Sequence, residues 1–234
     1  MTRQGKAITF KGLVAGIINS MFLKKFGIVI CRLMVCIGRK RSGYIYKSGD
    51  YIRVSSLELV AYEIYKNNIK GSVAELGVFR GDFAQFINIA FPDRKLYLFD
   101  TFEGFKEKDM EIEKKGNYAK IIEDFSDTTI EQVLDKMKIK KNCIIRKGYF
   151  PETAHGVEDT FAFVSIDVDL YEPIYNGLTY FYPRLERGGY IFVHDYNDDI
   201  KYSGVKEAVK RYCFENSITY FPLSDNQGSV IIMK

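Results

Sequence analysis

The 234-residue sequence predicts an α/β fold. Its expected core is a Rossmann-like, mostly parallel seven-stranded sheet ending in an antiparallel hairpin, with helices on both faces. From residue 51 onward, short apolar runs alternate with amphipathic helical stretches, and the runs are apolar almost throughout, as in strands covered on both sides. The last two strand candidates, "SITYF" and "SVIIMK", are separated only by "PLSDNQG". A parallel crossover takes about a dozen residues, so these two must pair antiparallel.

The elements follow in order. "LELVAYEIYKNN" carries a helical stripe at Leu57, Val60, Ala61, Ile64 and Tyr65. "GSVAELG" is a strand entering a glycine turn, "DFAQFINIAFP" a helix stopped by Pro92, and "KLYLFD" the second strand. The charge-dense interval "EGFKEKDMEIEKKGNYAKIIEDF" lacks strong apolar periodicity and reads as a mobile, partly helical insertion. "DTTIEQVLDKMK" opens on a cap and continues as a helix. "NCIIRKG" and "FAFVSID" are strands three and four, "YEPIYNGLTYFYPRL" a helix, "GGYIFVHD" strand five, and "GVKEAVKRYCFEN" the last helix before the hairpin.

Charge divides the chain into a head, residues 1–50, and a body, residues 51–234. The head holds ten Lys/Arg against the single acid Asp50, a net +9, which leaves −5 for the body of a chain whose total is +4. In the head, Lys24 and Lys25 split the apolar sequence into two blocks, each too short to span about 30 Å of hydrocarbon. Without a small-residue cleavage site after the first block, a secretory signal is not expected. Two amphipathic helices are expected instead, serving as a lid, a homo-oligomer contact or a contact with an anionic membrane surface. The four cysteines show no CxxC spacing, so Cys31, Cys36, Cys143 and Cys213 read as reduced thiols of a cytoplasmic protein, peripheral at the inner membrane face if the head binds lipid. No nucleic-acid partner is expected.

In an open α/β sheet, ligands bind beyond the carboxyl ends of the strands, near the switch in strand order. Strand one ends in "VAELGVFRGDF", with Glu75, Gly77 and Gly81. This is not GxGxxG, and an acid in the turn suits a hydroxyl-bearing or cationic ligand better than a pyrophosphate. Strand two ends on Asp100, where a carboxylate commonly receives ribose hydroxyls; together these suggest a nucleoside ligand. In "SIDVDLYEP", Asp169 and Glu172 have capping-box spacing before Pro173, so Asp169 reads mainly as a helix cap. Asp167 has no such role. Strand five ends on His194-Asp195, and if strands four and five are neighbours the Asp167 and Asp195 carboxylates converge and need a cation between them. Oxygen donors with one imidazole nearby point first to Mg²⁺, with Mn²⁺ or Ca²⁺ as alternatives. His155, in the loop "PETAHGVED", is either a surface histidine or a catalytic helper. Tyr171 and Tyr196 either pack or stack on substrate.

The motifs "VAELGVFRGDFAQF", "LFDTFEGF", "DTTIEQV", "KGYFPET", "SIDVDLYEPIYNGLTYFYPRLERGGYIFVHDY" and "GVKEAV", in that order, resemble the macrocin/mycinamicin-type (TylF/MycF) O-methyltransferases over residues 53–233. The resemblance implies a Rossmann-like class I methyltransferase that uses S-adenosyl-L-methionine and a divalent metal, usually Mg²⁺, to methylate a hydroxyl, often on a sugar. By motif, Glu75, Gly77 and Asp100, with the turn holding Thr101 and Phe102, would bind the cofactor. Ser126, Asp127, Gly148, Tyr149 and Phe150 would line the same pocket, and Asp167 would touch it too. Asp167 would serve as metal ligand and general base and Asp195 as second ligand. Many members carry two acids before the tyrosine where this chain has His194-Asp195, so the third ligand is His194 or water. Two rival readings are a nicotinamide- or sugar-nucleotide-dependent enzyme, disfavoured by the absent GxGxxG, and a membrane-surface scaffold without catalysis.

Overall fold

The computed structural model describes residues 10–23, 25, 48–118, 123–198 and 201–234. Two compact units divide the chain, residues 1–42 and 43–234. In the first, α1 (Phe10–Ile18) runs into a π-helical turn, Asn19–Leu23, with Leu13, Val14, Ile17 and Met21 exposed. Cys31, Cys36 and most of the basic residues of the head lie outside the described residues. No helix among the described residues is long and apolar enough to cross a membrane.

In the second unit, described from residue 48, Asp50 precedes the first helix. The Asp50 carboxylate caps α2 (Tyr51–Lys66), accepting from Arg53 N at 3.0 Å through Oδ1 and from Asn226 N at 3.2 Å through Oδ2. Seven strands then follow: β1 (Ser72–Leu76), β2 (Leu96–Asp100), β3 (Cys143–Lys147), β4 (Phe161–Ile166), β5 (Leu185–Val193), β6 (Tyr220–Pro222) and β7 (Val230–Met233). Their order is β3-β2-β1-β4-β5-β7-β6, parallel except for β7, which pairs antiparallel with both β5 and β6. The strand order reverses direction between β1 and β4, which fixes the ligand crevice at their carboxyl ends.

Alternation along the strands sends side chains to two apolar layers. Leu76, Phe99, Ile166 and Val193 face α6 (Tyr171–Arg184) and α7 (Ser203–Glu215), whereas Val73, Leu98, Phe163 and Phe192 face α2 and α3 (Ala84–Ala90). Each fully buried side chain of this size contributes roughly 1.5–3 kcal/mol, so the sheet and its two covers form one strongly coupled core.

The insertion contains a helix the apolar pattern did not show, α4 (Glu107–Gly116). Its buried positions are acids, Asp109 and Glu113, four residues apart on one face. A further short helix, α5 (Ile130–Lys136), carries the expected cap in full. Thr129 Oγ1 accepts from Gln132 N at 3.2 Å and Gln132 Oε1 accepts from Thr129 N at 3.1 Å.

Candidate active site

A cavity of about 330 Å³ opens above the carboxyl ends of β1, β2, β4 and β5. Glu75, Gly77, Asp100, Thr101, Gly148, Tyr149, Phe150, Asp167, His194 and Asp195 all line it. Its outer wall comes from the insertion, through Phe105, Asp109 and Phe125.

The register of β4 on β5 pairs Ile166 with Val193, and His194 N donates to Ile166 O at 3.0 Å. Asp167 and His194 therefore leave neighbouring strands side by side. His194 Nδ1 lies 3.1 Å from Asp167 Oδ1 and 3.0 Å from Asp195 Oδ2, and the three donors fall within 4.8 Å of one another. Neither contact has the alignment of a neutral hydrogen bond, so Nδ1 meets the two carboxylates as a buried ion pair, and Asp195 Oδ1 is likewise buried without an aligned hydrogen bond. Asp195 (φ +58°) and Asp169 (φ +59°) adopt the left-handed conformation, uncommon outside glycine, which turns both side chains back toward the cavity.

Arg53 completes this cluster. Buried on α2 with its guanidinium 3.8 Å over the Phe83 ring, it donates from Nη1 to Asp167 Oδ2 at 2.9 Å and from Nη2 to Ser165 Oγ at 3.0 Å. Burial alone would raise the Asp167 pKa, but His194 and Arg53 outweigh it and hold the carboxyl far below the usual range. Burial would likewise lower His194, yet Asp167 beside it raises its pKa to about 10 in the cation-free protein. Asp169 moves the other way: burial first, then its hydrogen bond with Asp195, keep it protonated well above the ordinary carboxyl range.

Asp169 does not cap α6, contrary to the capping-box expectation. Its left-handed backbone directs the side chain to Asp195, and the cap comes from Glu113 of the insertion, whose Oε1 accepts from Tyr171 N at 2.6 Å. Burial raises the Glu113 pKa to about 7.

The other expected residues separate into two groups. Glu75 faces the cavity with Oε2 buried and unpartnered, its pKa raised by burial and only partly offset by Arg53. Gly77 has φ +85°, and a Cβ there would stand 2.0 Å from Asp167 O. Asp100 organises the turns: Oδ2 accepts from Val78 N (2.7 Å) and Phe79 N (2.8 Å), and Oδ1 from Phe102 N (2.7 Å). Gly81 and Phe102 pack beneath the turns rather than on the cavity wall, Gly81 against Val133 and Phe102 in the α2/α3 layer. Ser126 and Asp127 flank the wall residue Phe125, and Asp127 pairs with Arg80, itself on the wall, at 2.5 Å. His155 is exposed and does not line the cavity. Tyr171 stacks on Tyr118 at 5.1 Å and the Tyr196 hydroxyl meets that of Tyr220 at 2.7 Å; both tyrosines pack.

Arg53 escaped the sequence reading, although a signal existed. It sits four residues before Leu57 and seven before Val60, on the apolar stripe of α2. A buried arginine at such a position requires an anionic partner. Asp109 was also missed; it accepts from Tyr149 Oη at 2.7 Å and so ties the insertion to the loop after β3.

An acid-lined crevice at the switch point of a sheet in this order, closed by an antiparallel hairpin, defines a Rossmann-like class I methyltransferase fold. The chain belongs to the macrocin O-methyltransferase (TylF) family, whose model matches residues 47–228. It is 24% identical over 179 residues to the demethyldecarbamoylnovobiocin O-methyltransferase of Streptomyces niveus, a match covering 68% of this chain and 64% of that protein. It is also 24% identical over 194 residues to the 8-demethyl-8-(2,3-dimethoxy-alpha-L-rhamnosyl)-tetracenomycin-C 4'-O-methyltransferase of Streptomyces olivaceus, covering 78% of this chain and 72% of that one. Among solved structures, that of the O-methyltransferase NovP superposes with a TM-score of 0.62 at 22% identity, covering 79% of this chain and 80% of the other.

Proposed function

We propose that this protein is an O-methyltransferase that moves a methyl group from S-adenosyl-L-methionine to a hydroxyl of a sugar or glycosylated metabolite, assisted by a divalent cation. The observation that carries the reading is the convergence of Asp167, His194 and Asp195 on one wall of the cavity whose floor holds Glu75 and Gly77. Both absent groups fit. Glu75 offers a buried, unpartnered oxygen to a cofactor hydroxyl or amine, and the three donors of the acid cluster lie close enough together to hold a cation.

A bound sulfonium would supply an electrophilic methyl, and a divalent cation held by Asp167, His194 and Asp195 would supply Lewis acidity that makes a hydroxyl easier to deprotonate. The chain does the rest. Glu75 and the Gly77 turn would hold the donor in the same cavity as the acid cluster, and such placement would lower the entropic part of the barrier. As the C–O bond forms the C–S bond breaks, and the hydroxyl proton passes to a carboxylate. Asp167, whose carboxyl stays ionised between Arg53 and His194, is the proposed acceptor through Oδ1, with Arg53 holding Oδ2. Asp169, on the cavity wall beside Asp195, already holds a proton and so acts as a donor rather than an acceptor. The aromatic wall of Phe105, Phe125 and Tyr149 favours an acceptor with a ring face, and the relatives named for sugar-bearing substrates support a glycosylated one.

Titration calorimetry with S-adenosylhomocysteine, with and without a divalent cation, tests this reading. Binding that tightens with cation supports it, and no binding removes it. Asp167→Asn should keep cofactor affinity and lose transfer; normal turnover would refute the role of Asp167. The basic head, whose α1 and following π-helical turn expose Leu13, Ile17 and Met21, fits a homo-oligomer contact or an anionic membrane surface. Sedimentation and liposome partition of a chain lacking residues 1–42 should change one or the other.

A further inference from the structure

We propose that the cation site is built for a first-row transition ion, Mn²⁺ or a later one, in preference to Mg²⁺, because His194 Nδ1 is itself a ligand. This rests on the cation reading above and goes beyond it by naming the class of ion. Adjacent donors on an octahedral ion with bonds of about 2.1 Å stand about 3.0 Å apart. The separations of 3.1 Å and 3.0 Å from Nδ1 to the two carboxylate oxygens match that spacing.

Burial supports the same assignment. Nδ1 is enclosed with no aligned hydrogen-bond partner, and so is Asp195 Oδ1, on a side chain only 6% exposed. Before a cation binds, a proton on Nδ1 would pair it with the two carboxylates, and an ion binding there takes the place of that proton. The backbone of His194 is tied to β4 by the bond to Ile166 O, which sets its Cα beside Asp167. Behind it, carboxylate oxygens of Asp50 and Asp225 also lie within 4.8 Å of an imidazole nitrogen. These two acids already accept bonds from backbone, Asp50 from Arg53 N and Asn226 N and Asp225 from Ser229 N. Those bonds hold the two acids in place near the ring.

Two features weaken the site for Mg²⁺. One of its three donors is an imidazole nitrogen, which suits Mn²⁺ through Zn²⁺ better than a hard ion. Arg53 occupies Asp167 Oδ2 at 2.9 Å, so Asp167 can bind through one oxygen only and its charge is partly neutralised. Mg²⁺, which dehydrates reluctantly and depends on anionic oxygen, loses more from both features than a transition ion does.

The test uses the full chain saturated with S-adenosylhomocysteine. Calorimetric titration with Mg²⁺, Mn²⁺ and Co²⁺ should give Co²⁺ affinity at least about 100-fold above that of Mg²⁺, and electron spin echo of bound Mn²⁺ should show coupling to a directly bound nitrogen. In His194→Asp that nitrogen coupling should vanish and the Co²⁺/Mg²⁺ ratio should shrink by about tenfold or more. A ratio unchanged by the substitution, or wild-type Mn²⁺ bound without nitrogen coupling, overturns the inference and leaves the cation reading intact. Failure of every cation to bind, with S-adenosylhomocysteine still bound, overturns both and leaves the methyltransferase reading standing. If His194→Asp does not fold, the wild-type echo decides alone.

Discussion

Glu113→Gln removes the charge from a carboxyl that is only 1% exposed and caps α6 from across the insertion. Burial raises its pKa from 4.5 to about 7. Between those values the folded state holds a proton that the unfolded chain has released, so stability is greatest at low pH and is lost as pH rises through about 7. A displacement of that size corresponds to roughly 3 kcal/mol between about pH 4 and pH 8. Glutamine keeps an acceptor for Tyr171 N and lacks the titration. Urea unfolding across that range should show the wild type losing about 2 to 3 kcal/mol relative to the variant as pH rises. A wild-type-to-variant difference that stays flat with pH would refute the claim that burial governs this group.

Arg53→Met leaves the Asp167 carboxylate enclosed without its cation and should cost about 3–5 kcal/mol in urea unfolding; a loss below about 1 kcal/mol would contradict the buried pairing. Gly77→Ala places a Cβ 2.0 Å from Asp167 O at a left-handed backbone position and should weaken S-adenosylhomocysteine at least about tenfold, with wild-type affinity counting against the turn's role. His155→Ala should leave turnover within about twofold, since the side chain is exposed and off the cavity wall, and a larger loss would restore the catalytic alternative.

Strand identities and the closing hairpin were legible because buried parallel strands and short turns leave strong local marks. Asp167 and Asp195 were legible for a related reason: an acid at the end of an apolar strand has few structural excuses. What depended on distant residues was not. Asp169 and Glu172 have the spacing of a capping box, yet the cap is Glu113, fifty-eight positions before Tyr171, whose N–H it accepts. Local spacing could not reveal that Asp169 would adopt a left-handed backbone and turn to Asp195. The insertion read as partly helical, but the bounds and buried face of α4 were hidden because it buries Asp109 and Glu113, and a search for apolar periodicity passes over charged residues. Arg53 was visible only as an arginine on an otherwise apolar stripe, and its meaning required the register that brings Ser165 and Asp167 above α2.

Crystals grown with S-adenosylhomocysteine and Mn²⁺, measured at the manganese absorption edge, test the central claim directly. The account predicts an anomalous peak bonded to Asp167, His194 and Asp195, with the cofactor's sulfur in the same cavity and its polar groups on Glu75. A cofactor bound away from Glu75 and Gly77, or manganese bound without Asp167 and Asp195, would contradict it.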